Sequence, residues 1–513
     1  MKTYFKAFLL LIIITTTFNS RAQNEEDALR YARQEISGTA RFTGMSGAFS
    51  SLGGDLSAIG LNPAGLTTFT TNRFTGTLSF YNIDNSAKYF NNIPSSSEYS
   101  SFDDNIINLD QLGVVWVYKS STSDWNKLAF SLNYNRQADY GNYMKIAGIN
   151  TAGNSVVDYF VNQANGIQLG DLKIGTDETT DFVYQWLGEN LGFQAQQAFL
   201  GYQAYIINPV SDDDTNTLYY PNADYTTVEH YNKIATTGYK GSFEFSVGGT
   251  YKEKLQLGFG LSVINIDYTE NNAITETGYE PFSDLQLLKL NNILYTEGSG
   301  VQLKFGGIYK LPNNMRVSLA FHSPQWIRIE ESMKQSVYTE FSVYSPIDIT
   351  PNVENAFAPY RVITPSKIIA GASMVINKKG LISIDYSYQD YSNLRFKELE
   401  SDFNSDYFDE VNDFMSATFQ GTHSFNIGGE WKLSELSLRG GTFFSSSPYK
   451  YSDDLYATKG YSLGAGFDLG GIVLDAAWLH SENDTYKTLL ALPDSAYTTQ
   501  TKNKFLIGLR YDF

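Results

Sequence analysis

Residues 38–66 read GTARFTGMSGAFSSLGGDLSAIGLNPAGL. Gly, Ala and Ser dominate, bulky β-branched residues are scarce, and no strand alternation runs through the stretch. A segment of this length without a repeat is uncommon unless it is functional or disordered. Its end is sharply punctuated. Pro63 removes a backbone donor and pushes Asn62 out of the α region, and Gly65 permits a tight reversal.

Everything after about Arg73 behaves differently. Fourteen stretches alternate with period two, beginning at Arg73, Leu109, Asn126, Gly238, Leu255, Gly300, Met315, Ser366, Leu381, Thr422, Glu435, Lys459, Gly471 and Lys504. In the last, Phe505, Ile507, Leu509, Tyr511 and Phe513 share one face, with Lys504, Arg510 and Asp512 on the other. Each run suits a tilted strand crossing a bilayer, which needs about 9–11 residues. The fifth run changes phase near Val263-Ile264, which predicts a bulge or the membrane boundary.

The connections decide between a sandwich and a barrel. Tight turns at Lys252-Glu253-Lys254, Leu311–Asn314, Lys378–Gly380 and Gly470 alternate with long segments at 82–108, 137–237, 269–299, 323–365, 392–421, 446–458 and 482–503. Short turns on one rim and long loops on the other mark an outer-membrane barrel, with the short turns periplasmic. The expected fold is all-β: a 14-stranded transmembrane antiparallel barrel over 71–513, its lumen plugged by a hatch within 23–70. Asn24 to Ile36 reads as a short helix capped by Asn24 with Asp27 three residues on. In the largest loop, about 137–237, Phe182, Val183, Trp186, Leu187 and Leu191 recur at helical spacing. Ala198 to Ile207 is a second apolar stretch, and Asp409 to Phe419 predicts another short helix. These faces either order the loops or form an external apolar groove.

Residues 1–22 read as a secretory signal: Lys2 and Lys6, an apolar core at Ala7–Ile14, and a small-x-small site at Ser20-Arg21-Ala22. The chain holds 37 Lys plus Arg against 55 Asp plus Glu, a net charge of −18. Loss of Lys2, Lys6 and Arg21 takes the mature chain to about −21, which argues against nucleic acid as a partner. No cysteine is present, so disulfides, thiol catalysis and Cys-based zinc sites are excluded. The four histidines, His230, His322, His423 and His480, form no i, i+4 pair and read as ordinary, with His230 in a loop. There is no G-x-S-x-G elbow and no phosphate-binding loop ahead of a helix. No enzyme activity, metal or cofactor is expected. Arg136, Arg316, Arg439 and Arg510 should face the lumen, in cross-strand ion pairs or opposite a ligand carboxylate.

A Gly53-Gly54-Asp55-x-Ser57-Ala58 motif running into Asn62-Pro63-Ala64-Gly65-Leu66, directly before fourteen strands, resembles the FadL/TodX family. The family comprises outer-membrane transporters of long-chain fatty acids and hydrocarbons. The resemblance spans the mature chain. Gly508-x-x-Tyr511-x-Phe513 is similar to the signal read by the barrel-assembly machinery, although Leu506 stands where that signal is often polar.

The resemblance implies a monomer in the outer membrane of a Gram-negative bacterium, surrounded by outer-membrane lipid. A hydrophobic ligand would be captured outside, pass beside the hatch, and leave through the wall into the bilayer without an energy-coupling protein. Gating falls to Gly53, Gly54, Asp55, Asn62, Pro63, Ala64 and Gly65. Phe42, Met45, Phe49 and Leu52 either contact ligand or pack against the wall. Small side chains predict a loosely anchored plug with a low opening cost. Some FadL-like barrels instead resemble shuttles in secretion complexes, and the oversized loop would then be a docking surface.

Overall fold

The computed structural model describes residues 24–89, 97–103, 107–377, 379–399, 406–452 and 455–513. The predicted signal sequence lies outside the described residues, as does Lys378 of one predicted turn.

Fourteen antiparallel strands close into a cylinder. β1 is Arg73–Tyr89, and β2 is Ser97–Asp103 continued by Asn108–Lys119. β3 is Trp125–Asp139 continued by Asn142–Asn150. β4 is Val228–Tyr251, β5 Leu255–Thr277 and β6 Leu285–Lys310. β7 joins Met315–His322 to Trp326–Phe341, β8 joins Tyr360–Ile363 to Lys367–Ile376, and β9 joins Gly380–Asp390 to Arg395–Glu398. β10 is Gly421–Leu433, β11 Leu436–Ser445, β12 Thr458–Asp468, β13 Ile472–Thr488 and β14 Ser495–Asp512. Each pairs with the next, and β1 pairs with β14 from Arg73↔Asp512 to Tyr89↔Ala496. Closure leaves no strand edge unpaired in lipid.

Alternation gives the wall two chemistries. On β14, Phe505, Ile507, Leu509 and Tyr511 are exposed outward, while Lys504 and Leu506 are buried inside. On β3, Leu128, Phe130 and Leu132 point out and Ser131 and Asn133 point in. An apolar belt outside and a polar lining inside is what a strand wall between lipid and a polar lumen requires.

Among the described residues, most of 82–108, 269–299, 323–365 and 482–503, expected as loops, is strand. β4, β5 and β6 run for 24, 23 and 26 residues. That is more than twice the 9–11 or so needed to span lipid, so the cylinder continues well beyond the bilayer. The largest insertion narrows to 151–227, because 137–150 and 228–237 belong mostly to β3 and β4. The phase change at Val263-Ile264 is not a bulge. β5 stays in register with β4 and β6 throughout, and Val263 still points out. The lumen contents change instead: at this level Ile264 and Ile266 are buried against α1.

Three layers fill the lumen. Lowest is the small-residue segment, holding the short helices α2 (Ala40–Thr43) and α3 (Leu56–Ile59) and a 3-10 turn at Pro63–Thr68. Above it sits α1 (Glu25–Ala32), capped by Asn24 in a reciprocal box with Asp27. The helix stops at Ala32 rather than Ile36, since Arg33 turns extended. Ala28, Leu29, Tyr31 and Ala32 pack on Ile264, Ile266, Ile327, Ile329 and Tyr360 of the wall. Met415 and Phe419, in and just after α8 (Asp406–Thr418), join the same cluster.

The top layer is the insertion between β3 and β4, with α4 (Val156–Ala164), α5 (Leu169–Leu172), α6 (Thr180–Asn190) and α7 (Phe193–Gln203). Val157, Phe160, Leu187, Phe199 and Leu200 seal onto Ile234, Ile274, Leu288 and Val337. Phe182, Trp186 and Leu191 stay exposed.

Candidate functional site

The small-residue segment fits the lumen because the wall is also small where they meet. Gly248, Gly258 and Gly306 stand opposite one another across β4, β5 and β6. A methyl at Gly306 would overlap the Asn62 carboxamide, one at Gly258 the Pro63–Ala64 backbone, and one at Gly248 the Thr67 methyl. Met45 lies likewise against Gly428 and Gly441, an opposed pair on β10 and β11. Glycine in a strand interior often marks such a close backbone approach.

The motif residues build the segment's own turns. Gly53 and Gly54 take φ of +58° and +69°, and a side chain at Gly53 would strike Gly65. Asp55 caps α3 by accepting from Ser57 N at 2.9 Å and also accepts from Thr39 Oγ1 at 2.8 Å. The Asn62 carboxamide accepts from Ala64 N at 3.0 Å and donates to Ser50 O at 2.9 Å and Gly307 O at 3.3 Å. Pro63 opens the 3-10 turn, and Ala64 and Gly65 are buried within it.

Phe42, Met45, Phe49 and Leu52 form one apolar cluster. Phe42 and Phe49 pack with ring centroids 5.5 Å apart. At the chain end, Tyr511 and Phe513 stack on the lipid-facing side, whereas Gly508 faces inward beside Ala40. Leu506 is apolar because it too packs on Ala40.

The segment is firmly held, against the expectation of loose anchoring. Small side chains leave backbone groups within reach of the wall, and the wall supplies partners. Ser50 N and Oγ donate to Asp385 at 2.7 and 2.6 Å. Arg41 binds Glu430 through two bonds of 2.8 and 2.9 Å, and Glu430 also receives Arg439. Asn426 donates to Ser46 O at 2.6 Å, Arg316 to Leu52 O at 2.6 Å, and Ser46 N to Ser462 Oγ at 2.9 Å. Arg439 also pairs with Asp475, and Arg136 with Asp139. Arg510 faces inward with Nε unpaired among the described residues.

A cavity of about 380 Å³ lies between this segment, α1 and the wall. Ile36, Phe42 and Leu61 line it from below, Arg30 and Arg33 from above, and Ile369, Tyr386 and Phe443 from the side. Asn135 to Tyr140 of β3 line another side, where the register slips between Arg136 and Ala138. Gln137, at the slip, accepts Glu35 N through its backbone carbonyl at 2.8 Å. Lys502 pairs with Glu35 at 2.7 Å, and Lys504 with Asp110 and Asp139 at 2.9 Å each. Among the described residues, the β2–β3 ladder ends at Gln111↔Asn135, just below the slip.

Lys304 and Lys367 line the same cavity and belong to a basic row. Lys304, His322 and Lys367 stand directly opposite one another on β6, β7 and β8. Lys304 is held by Glu244 at 2.7 Å, and His322 Nε2 lies 2.9 Å from Leu61 O. The Lys367 ammonium makes no side-chain hydrogen bond or ion pair among the described residues. Sequence reasoning missed this row, since its members are far apart in the chain and only strand register joins them.

His230 is in β4, not in a loop. It is fully buried, with Nε2 2.6 Å from Glu276 and Nδ1 3.1 Å from the Tyr89 hydroxyl. Glu276 also accepts from Ser155 Oγ and Val156 N, which fixes the start of α4 to the wall. Among the described residues no group of three or more His, Asp or Glu is arranged to hold a metal ion.

Among solved structures, the chain is similar to a FadL homologue of Pseudomonas aeruginosa, at 11% identity over 94% of this chain and 100% of that one, with a TM-score of 0.53. It is similar to the CymD monoaromatic hydrocarbon channel, at 12% identity, 94% and 99% coverage and a TM-score of 0.50. It is also similar to the P. putida toluene transporter TodX, at 11% identity with the same coverages and a TM-score of 0.50. No family model and no curated protein matches the chain. Its fold is that of the FadL/TodX-type outer-membrane barrels, with the N-terminal segment inside the lumen.

Proposed function

We propose that the chain is a passive outer-membrane channel for hydrophobic small molecules. Residues 38–69 act as the gate, and the exit lies through the wall beside the β3 slip into the bilayer. One observation carries this reading. The cavity touches the plug and the slipped strand together, and the Glu35–Gln137 backbone bond ties the segment leading into the plug to that strand. An oily solute needs apolar contacts inside a polar shell, and Phe42, Ile36, Leu61, Ile369 and Phe443 supply them within a lining that is otherwise largely polar and charged. The described solved structures that share the fold include a toluene transporter and a monoaromatic hydrocarbon channel, which supports the ligand class.

The basic row narrows the ligand further. A neutral hydrocarbon gains nothing from an unpartnered ammonium. A long-chain fatty acid places its carboxylate against Lys367 and its tail along the apolar lining. The chain acts as a monomer, and the barrel-assembly machinery reads Gly508, Tyr511 and Phe513. The experiment compares uptake of labelled oleate and labelled toluene by cells producing the chain or its Lys367→Gln variant. Oleate uptake should exceed the empty-cell background and fall at least about tenfold in the variant, as loss of a charge-assisted bond implies. Toluene uptake should not change. Oleate uptake at background in both would reject the reading.

A further inference from the structure

Four cations stand on the inner face at the periplasmic ends of two hairpins. Lys119 and Lys127 are direct cross-strand partners on β2 and β3. Lys310 and Arg316 are direct partners on β6 and β7. Like charges placed opposite each other destabilise a sheet, so two such pairs at one mouth require an explanation. The two pairs also feel each other, for Lys310, Lys119 and Arg316 all repel Lys127. The composition works against such a grouping, with 55 acidic residues to 37 basic.

Among the described residues, none of the four makes an ion pair within 4.0 Å. Glu253 is a carboxylate whose field reaches Lys310, and Asp124 is turned to Lys252 at 3.7 Å. Lys127 Nζ donates to Thr67 O at 3.0 Å and Phe69 O at 2.9 Å, and Arg316 gives one donor to Leu52 O. An ammonium has three donors and a guanidinium five, so most of the donors at this mouth are unspent. Lys310 and Lys119 show no side-chain partner among the described residues.

We propose that the periplasmic mouth beneath the plug is a binding site for a small anion bearing a carboxylate or phosphate, held by Lys119, Lys127, Lys310 and Arg316. An oxyanion bridging the two pairs converts mutual repulsion into shared attraction and uses the spare donors. The site is separate from the cavity above the plug, and it stands whether or not the chain carries hydrophobic ligands.

Calorimetry on the full chain in detergent, with sodium phosphate and sodium hexanoate titrated against sodium chloride at equal ionic strength, tests it. Saturable binding of phosphate, of hexanoate or of both beyond chloride supports the site and shows which source it takes. Lys119→Gln and Lys310→Gln spare the plug's carbonyl contacts, so both should fold. Each should weaken binding about tenfold, and each should raise the anion-free thermal midpoint by removing a repulsion. Binding no better than chloride, or equal binding in both variants, would overturn the proposal.

Discussion

The backbone N–H of Glu35 donates to the carbonyl of Gln137 at 2.8 Å, so the segment leading into the plug is hydrogen-bonded to β3 at the point where that strand slips register. Lys502 reinforces the junction by pairing with Glu35. The plug and the wall are therefore one hydrogen-bonded unit at the side of the cavity, and any displacement of the plug disturbs β3.

The glycine row on β4, β5 and β6 predicts a specific sensitivity. Gly306→Ala and Gly258→Ala both place a methyl inside the Asn62–Ala64 turn. Overpacking should cost the seated plug about 1–3 kcal/mol without disturbing strand pairing. The barrel should still assemble and show heat-modifiable migration. Cells should become more permeable to a bulky polar antibiotic, with Gly307→Ala, which meets no plug atom within 4 Å, as the control.

Arg41 anchors the plug ionically, with two bonds to a Glu430 that also holds Arg439. Arg41→Ala leaves Glu430 partly compensated, so the loss should be about 2–3 kcal/mol, below that for a fully orphaned buried charge. Hydrogen exchange of residues 38–52 should rise on the order of tenfold or more, while exchange in β10 and β11 stays near that of the parent.

Glu25 gives the seating of α1 a pH dependence. Burial, and then repulsion by Glu26, push its carboxyl up from 4.5 to about 7. A carboxyl whose folded-state pKa exceeds its unfolded value is penalised when ionised. The penalty is absent below about 4.5, grows as pH rises to about 7, and is constant above that. Partial solvent screening keeps it near 1–2 kcal/mol. Glu25→Gln should therefore protect residues 25–32 from exchange relative to the parent at pH 8, and the two chains should converge at pH 4.5.

How much was legible in the sequence follows from which forces act locally. Lipid-facing alternation at Leu112 to Tyr118 or Phe505 to Phe513 is enforced by the solvent on one face, so strand count and phase were readable. The Asn62-Pro63 turn is set by its own residues. The strands' length was hidden because above the bilayer neither face meets lipid. There Ile264 and Ile266 pack in a local apolar cluster with α1 while Val263 stays outward, which masquerades as a phase change. The strength of the plug's anchoring was hidden for another reason. Its partners, Asp385, Glu430 and Asn426, lie more than 300 residues away, and only closure of the cylinder brings them to Ser50, Arg41 and Ser46. The Lys304–His322–Lys367 row is a product of register alone.

The absence of native cysteine makes one test clean. The 2.8 Å bond from Glu35 N to Gln137 O holds the two backbones side by side, compatible with the Cα separation of about 4.4–6.8 Å that a disulfide needs. In the double variant Glu35→Cys, Gln137→Cys, oxidation should fasten the plug to β3 without altering the barrel. Ligand uptake should fall to the empty-cell background when the disulfide is complete and recover on reduction. Undiminished uptake with the plug covalently fixed to the wall would contradict the idea that this segment is the gate.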